Sequence, residues 1–339
     1  MSSRAGAFDA FLAANGWAGS SPAPLAGVAS FRRYFRLTDG ARRAVLMDAP
    51  PPEQEKLPAY VAVAEILRRL RLSAPEIFAA DYDAGLLLIE DFGDDSFTRC
   101  LAGGADEQAL YTLAVDTLIA LQHAIADAGP PDLPPYDEER LMTEVALLVD
   151  WYAPAALGRT LPDAVREEYL AIWRQLLALA APEPPTLVLR DYHVDNLMRL
   201  TGRTGVRRCG IVDFQDAVIG SPAYDLVSLL EDARRDVPPD LRATMSERYL
   251  AAFPDINRAG FRRAAAILAA QRNAKIVGLF VRLWQRDGKP AYLAHLPRVW
   301  RLLEADLAMP VLAPLAAWLE RHLPPPLRRL PEAPAMSAA

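Results

Sequence analysis

Two short polar clusters carry residue types suited to phosphate chemistry: Leu189-Arg-Asp-Tyr-His-Val-Asp-Asn196 and Val212-Asp-Phe-Gln-Asp216. Each follows a β-like run, Leu187-Val-Leu189 in one case and Cys209-Gly-Ile-Val212 in the other, so each presents acidic side chains at the end of a strand. Two carboxylates and a carboxamide on adjacent strands make an oxygen-rich site. That site suits Mg²⁺, a hard cation that takes one or two carboxylates plus substrate phosphates. Phosphoryl transfer is the natural reaction for it. Taken singly, Asp191, Asp195 and Asp216 read better as turn and cap residues, a role Asp fills in most loops. It is the two clusters together that point to a site.

The elements that must position these clusters follow from periodicity. Phe31 to Leu37 and Arg43 to Asp48 read as two strands around the turn Thr38-Asp39-Gly40. After Pro50-Pro51-Pro52, the run Leu57 to Leu72 has apolar residues near helical spacing, and Pro58 is tolerated in a first turn. Ile77 to Asp81 and Leu86 to Glu90 read as two further strands around Asp83-Ala84-Gly85. The result is a small antiparallel sheet with one inserted helix, unlike a doubly wound fold. Beyond Asp95 the pattern turns helical, with segments expected near 106–127, 138–157, 162–181, 222–234, 241–253, 258–285 and 290–307. The non-helical island Thr186 to Asp216, which holds both clusters, interrupts them. No internal repeat is visible.

With these residues in place, the chain resembles the aminoglycoside phosphotransferase and choline kinase group of kinase-like small-molecule phosphotransferases. The match is Asp191-x4-Asn196, then Asp213-Phe214, then Gly220-Ser-Pro-Ala-Tyr-Asp225-Leu226. The resemblance implies that Asp191 positions or deprotonates the acceptor hydroxyl. It further implies that Asn196 and Asp213 hold Mg²⁺ on the nucleotide phosphates, and that Asp225 braces the catalytic loop from a helix N-terminus. The spacing parallels the Asp-x4-Asn and Asp-Phe-Gly elements of protein kinases. Arg190 stands before Asp191 as an arginine does in protein kinases, although many family members carry glycine there. His193 reads equally as a loop-bracing hydrogen-bond donor and as a structural histidine. The implied fold is α+β and protein-kinase-like. It has a nucleotide-binding lobe over 1–91, a catalytic and substrate lobe over 92–323, and a frayed tail over 324–339.

The sequence departs from the family pattern at the nucleotide. Glu65 resembles the helical glutamate that pairs with a strand lysine, yet Val45-Leu-Met-Asp48, where that lysine belongs, contains none. The nearby cations are Arg32, Arg33, Arg36, Arg42 and Arg43, each of which reads either as a phosphate ligand or as part of a solvated hairpin face. Gly27-Val-Ala-Ser-Phe31, including Ser30, stands where the nucleotide-covering loop belongs but carries one glycine. Ile89-Glu90-Asp91-Phe-Gly93 resembles the interlobe hinge whose main chain would contact adenine, and Asp91 to Asp95 reads alternatively as a simple turn.

The strings Ala29 to Arg36, Met47 to Pro51, Leu189 to Met198 and Asp213 to Gly220 more closely resemble the branch that phosphorylates N-acetylmuramate and N-acetylglucosamine at the anomeric hydroxyl, in peptidoglycan recycling. That branch implies ATP and Mg²⁺. The lactyl carboxylate of muramate calls for an arginine on a helix after Asp213. Candidates are Arg234, favoured because it follows the Asp225 helix directly, and Arg272 or Arg282 on the helix expected near 258–285, with Asp216 a further substrate contact. Arg234 reads equally as a cap on its helix's C-terminal dipole.

Composition narrows the alternatives. The chain has 339 residues, 52% apolar, and 37 basic against 43 acidic residues for a net charge of −6. It lacks the basic excess that phosphate-backbone binding needs, so no nucleic-acid partner is expected. Three lysines, Lys56, Lys275 and Lys289, leave nearly all the basic charge on arginine. Cys100 and Cys209 have no CxxC partner, no signal-peptide pattern stands at the N-terminus, and charges cut the longest apolar stretches. The expectation is therefore a reduced, cytoplasmic protein without a transmembrane segment or an evident protein partner. The absence of G-x4-G-K-[ST] and of G-x-G-x-x-G argues against a P-loop kinase and a dinucleotide oxidoreductase. Other small-alcohol kinases of the same fold remain alternatives, as does an inactive nucleotide-binding regulator.

Overall fold

Strand β2 (Arg33–Asp39) and strand β3 (Arg42–Asp48) form the expected hairpin. They pair antiparallel from Asp39↔Arg42 to Arg33↔Asp48, and the turn between them carries Gly40 at φ +59°, a conformation that favours glycine. The structure is a computed structural model that describes residues 4–25, 32–180 and 184–329. Strand β1 (Ala23–Pro24), β4 (Ile77–Asp81) and β5 (Leu86–Ile89) complete a five-stranded antiparallel sheet in the order β1-β2-β3-β5-β4. β3 and β5 sit inside the sheet, which is why their apolar residues run continuously instead of alternating with polar ones.

One face of the sheet is covered by α1 (Arg4–Ala14), a helix the sequence reading does not anticipate. Phe11, Leu12 and Trp17 pack there with Leu37, Ala44, Leu46, Leu86 and Leu88. Each of the buried leucines in this set contributes about 1.5 to 3 kcal/mol. Strand periodicity turns Val45, Met47, Leu87 and Ile89 to the opposite face. Helix α2 (Leu57–Arg69) stands between β3 and β4 in the chain and buries Leu57, Tyr60, Val63, Ala64, Ile66 and Leu67.

The chain divides into two units: Met1–Pro131 with Leu189–Ala217, and Asp132–Val188 with Val218–Ala339. Besides the sheet, the first contains α3 (Phe97–Ala102) and α4 (Glu107–Ala128), which Ser96 and Asp106 cap by accepting hydrogen bonds from Arg99 N and Ala109 N. The segment with both polar clusters belongs to this unit. It is built on a strand pair, Leu197–Arg199 with Cys209–Ile211, that is tied to the rest of the unit. Ile211 N donates to Ser73 O at 2.7 Å, Ser73 Oγ donates to Arg207 O at 2.7 Å, and Gly210 leaves room for the Phe92 ring.

In the second unit, strands Thr186–Val188 and Val218–Gly220 pair antiparallel, and helices supply a core around Tyr152, Tyr169, Trp173, Trp300 and Trp318. The helix expected over 138–157 is broken: Glu138–Leu147 passes into a π-helical turn, Leu148–Tyr152, before Ala153–Leu157. There the long helix Arg258–Gln285 presents Gly278, where a Cβ would collide with the Leu147 carbonyl. The helix expected over 222–234 ends at Leu230, and Pro290–His295 forms a 3₁₀ turn before Leu296–Asp306. Ala313–His322 is a further helix not anticipated. Within the presumed tail, Pro325–Leu327 forms a 3₁₀ turn, and Arg328 donates to Leu323 O at 2.8 Å and to Glu304 Oε1 at 3.0 Å. Residues 330–339 lie outside the described residues.

Among the described residues, two helices, Glu107–Ala128 and Arg258–Gln285, are long and apolar enough by length and composition to cross a membrane, contrary to the expectation that charges interrupt every such stretch. Both bury much of that apolar surface inside their own units, as core helices do.

A buried acid pair marks the second unit. Asn273 Nδ2 donates to Glu231 Oε2 and to Asp306 Oδ2, both at 2.9 Å. Burial and the neighbouring Glu231 push the Asp306 carboxyl up to about 9. Folded Asp306 therefore keeps a proton that the unfolded chain releases near pH 4, so its contribution to stability falls as pH rises from about 4 to about 9. In Asp306→Asn, whose amide can donate where the protonated acid did, the melting temperature should fall less steeply over that range. A variant with the wild-type slope would show that Asp306 does not carry the extra proton.

Candidate functional site

The first cluster folds back on itself. Asp191 N donates to Leu189 O at 2.9 Å, and Asn196 N donates to His193 O at 2.9 Å. Asn196 Nδ2 donates to Asp191 O at 3.0 Å and lies 3.4 Å from His193 Nε2. His193 is buried inside this loop, whereas Asp191 is exposed. Thr98 Oγ1 ties the loop to α3 by donating to Asp195 Oδ1. Val212 N donates to Asn196 O at 3.0 Å, which joins the second cluster to the first. The strand pair carrying them thus brings Asp191, Asn196 and Asp213 into one region of the first unit.

Two non-glycine residues here adopt left-handed backbone, Arg190 at φ +71° and Asp213 at φ +61°. The conformation costs an L-residue about 1 to 2 kcal/mol, and such strain gathers at functional sites. It also gives a physical reason why glycine suits position 190. Arg190 Nη1 lies 3.4 Å from Asp216 O.

Asp213 is the electrostatic centre. Its Oδ1 accepts from Arg32 Nη2 at 3.0 Å and from Gln215 Nε2 at 3.2 Å. Gln215 Nε2 also donates to Asp216 Oδ2 at 3.2 Å, and Gln215 Oε1 accepts from Arg32 Nη1 at 2.9 Å. Phe214 stacks on Tyr60 of α2 with ring centroids 4.8 Å apart. Burial pushes the Asp213 carboxyl above its ordinary range, with Arg32 opposing that shift and Asp191 adding to it. Such a carboxylate is stabilised by added positive charge. The oxygen donors of Asp213 and Asn196 suit a hard cation. Among the described residues, no group of three His, Cys, Asp or Glu side chains could hold a metal ion. An ion here would draw further ligands from substrate phosphate and water, as Mg²⁺ prefers.

The other nucleotide candidates separate. Ser30 lies outside the described residues. Arg33 Nε donates to buried Asp48 Oδ2 at 2.8 Å, and Arg4 of α1 reaches Asp48 Oδ1. The strand expected to carry a lysine therefore ends on a carboxylate held by two arginines. Glu65 lies exposed on α2 and, among the described residues, pairs with no cation. The Glu90 carboxylate is taken by Arg203, with Arg68 at 3.8 Å. Asp91 accepts from Arg36 Nε at 2.7 Å and from Gly93 N at 2.9 Å, and so fixes the segment after β5.

In the second unit, Arg272 is 3% exposed, and its Nη1 donates to Glu231 O at 3.1 Å. Arg234 is half-buried just beyond helix Ala223–Leu230, and its N donates to Asp232 Oδ1 at 2.8 Å. Asp225 lies buried in the first turn of that helix.

The sequence reading missed two residues. Gln215 follows Asp213-Phe214 but carries no role in the motif; its bonds to Asp213 and Asp216 are local, and the one that ties it into the site, from Arg32, is tertiary. Glu53, in the 3₁₀ turn Glu53–Lys56, stands 3.6 Å from Arg32 Nε. Its position after three prolines carries no periodic signal.

A family model described as the phosphotransferase enzyme family matches residues 22–267. A relative from Caulobacter vibrioides, named N-acetylmuramate/N-acetylglucosamine kinase, is 38% identical over 97% of this chain and 99% of its own. One of the same name from Pseudomonas aeruginosa is 38% identical over 90% of each chain. Among solved structures, a choline kinase from Streptococcus pneumoniae has a TM-score of 0.63 at 13% identity, covering 89% of this chain and 98% of that one. An ADP-bound aminoglycoside phosphotransferase has a TM-score of 0.58 at 14% identity, covering 87% and 96%. These structural likenesses establish an α+β, protein-kinase-like fold, and the two long sequence matches go further: this chain belongs to the phosphotransferase enzyme family.

Proposed function

We propose that the protein is an ATP-dependent kinase that phosphorylates the anomeric hydroxyl of N-acetylmuramate, N-acetylglucosamine or both, within the cytoplasm. The observation that carries this reading is the stitching of Asp191, Asn196 and Asp213 into one loop pair by Asn196 Nδ2 to Asp191 O and Val212 N to Asn196 O. The printed names of the long sequence relatives support the acceptor. Asp191 would orient the hydroxyl and take its proton as the sugar oxygen bonds to the γ-phosphorus. The bond from that phosphorus to the β–γ bridging oxygen breaks, and ADP leaves with its electron pair. Asn196 and Asp213 would hold Mg²⁺, which when bound neutralises phosphate charge. A hemiacetal hydroxyl is more acidic than an ordinary alcohol, so one aspartate suffices as base.

The test is ADP release from MgATP with a panel of N-acetylated amino sugars, aminoglycosides and choline. The two amino sugars should support turnover, and their methyl glycosides, which lack the free anomeric hydroxyl, should support none. Turnover on a methyl glycoside would point to a different hydroxyl. Turnover on choline or aminoglycosides alone would replace the acceptor class.

A further inference from the structure

The hairpin arginines differ in what they face. Arg33, Phe35 and Leu37 alternate along β2 on the side of α1, and Arg33 is engaged by Asp48. Arg36 and, by the same alternation, Arg32 turn to the other side, where Arg36 is bound to Asp91 and Asp94 after β5. Arg42 pairs with Asp39 at 2.6 Å, and Arg43 is exposed. Of these five, Arg32 is the one in contact with Asp213. It is 7% exposed, a degree of burial rare for arginine without partners. Its partners are the Asp213 carboxylate, the Gln215 carboxamide and, across 3.6 Å, the Glu53 carboxylate.

A phosphoryl-transfer site needs a fixed cation beside the metal-binding carboxylate, because charge on the phosphate oxygens must be offset on more than one side. β3 provides none beside Asp213: its two arginines, Arg42 paired with Asp39 and exposed Arg43, stand at the turn end of the strand, its last residue is Asp48, and Glu65 is exposed. Resting on the kinase reading above, we propose that Arg32 is the cation that grips the nucleotide phosphates, and that Glu53 positions it. The ion pair would be supplied by the start of β2 and the turn before α2, in place of a lysine from β3 and a glutamate from within α2. A guanidinium also suits the place chemically, since its planar fork can hold carboxylate and phosphate oxygens together.

Calorimetric titration with MgADP and, separately, with adenosine tests this without turnover. In Arg32→Ala, MgADP affinity should fall about 10- to 100-fold, the usual worth of a charge-assisted contact, while adenosine affinity stays within about twofold. Arg32→Lys keeps the charge in a folded chain and should lose less than the alanine variant. Glu53→Gln should weaken MgADP severalfold, and Glu65→Gln should leave it unchanged. Equal losses for MgADP and adenosine in Arg32→Ala would make Arg32 a structural residue. Wild-type MgADP affinity in the Arg32 variants, or a loss in Glu65→Gln as large as in Glu53→Gln, would also overturn the assignment. Failure of the unmodified protein to bind MgADP would instead overturn the kinase reading, and this proposal with it.

Discussion

Replacing Asp191 with asparagine should lower turnover by about 10²- to 10⁴-fold, the range a positioned acid or base contributes. The substitution changes one atom and removes one charge. The backbone carbonyl of Asp191, which accepts from Asn196 Nδ2 at 3.0 Å, is untouched, so the loop should keep its form. The nucleotide end should not suffer either. Asp191 is one of the groups that push the Asp213 carboxyl up, and removing its charge eases ionisation of Asp213. The expected signature is a collapsed kcat with MgADP affinity and melting temperature near wild type. Wild-type turnover would remove Asp191 from the chemistry, and a parallel loss of melting temperature would recast it as a fold residue.

Asp213 should give the opposite pattern, with loss at the level of nucleotide binding. In Asp213→Asn, which keeps a residue type tolerant of the left-handed backbone at φ +61°, the gain in ADP affinity on adding Mg²⁺ should vanish and activity should collapse with it. Asparagine is the better probe than alanine for a second reason. Arg32 and Gln215 both donate to Asp213 Oδ1, and an amide oxygen can still accept from them. Titrating ADP with and without Mg²⁺ separates the metal effect from any shift of Arg32. An unchanged Mg²⁺ dependence would leave the second cluster as a structural turn.

What could be read from the chain without coordinates follows physical lines. The hairpin, α2 and strands β4 and β5 were legible because apolar periodicity and Gly or Pro punctuation coincide there. The two polar clusters were legible because their spacing along the chain is short and their residue types are chemically specific. Helix α1 was missed because its apolar residues do not form a clean stripe. The π turn at Leu148–Tyr152 was missed because nothing in its own periodicity marks it, and the close approach of Gly278 to Leu147 beside it joins positions far apart in the chain. Glu65 is instructive: the buried residues Tyr60, Val63, Ala64 and Leu67 put the apolar face of α2 elsewhere, so periodicity alone favours an exposed Glu65. The family resemblance had pointed the other way. The pairing of Arg32 with Asp213, 181 positions apart, had no local signal at all.

Phosphorus NMR of the product shows which hydroxyl receives the phosphate. After incubation with MgATP and N-acetylglucosamine, one new phosphate monoester should appear, its phosphorus coupled to the anomeric proton of the sugar. A monoester coupled to the protons at carbon 6 or to another ring proton, or no new ester beside unchanged ATP, would contradict the account.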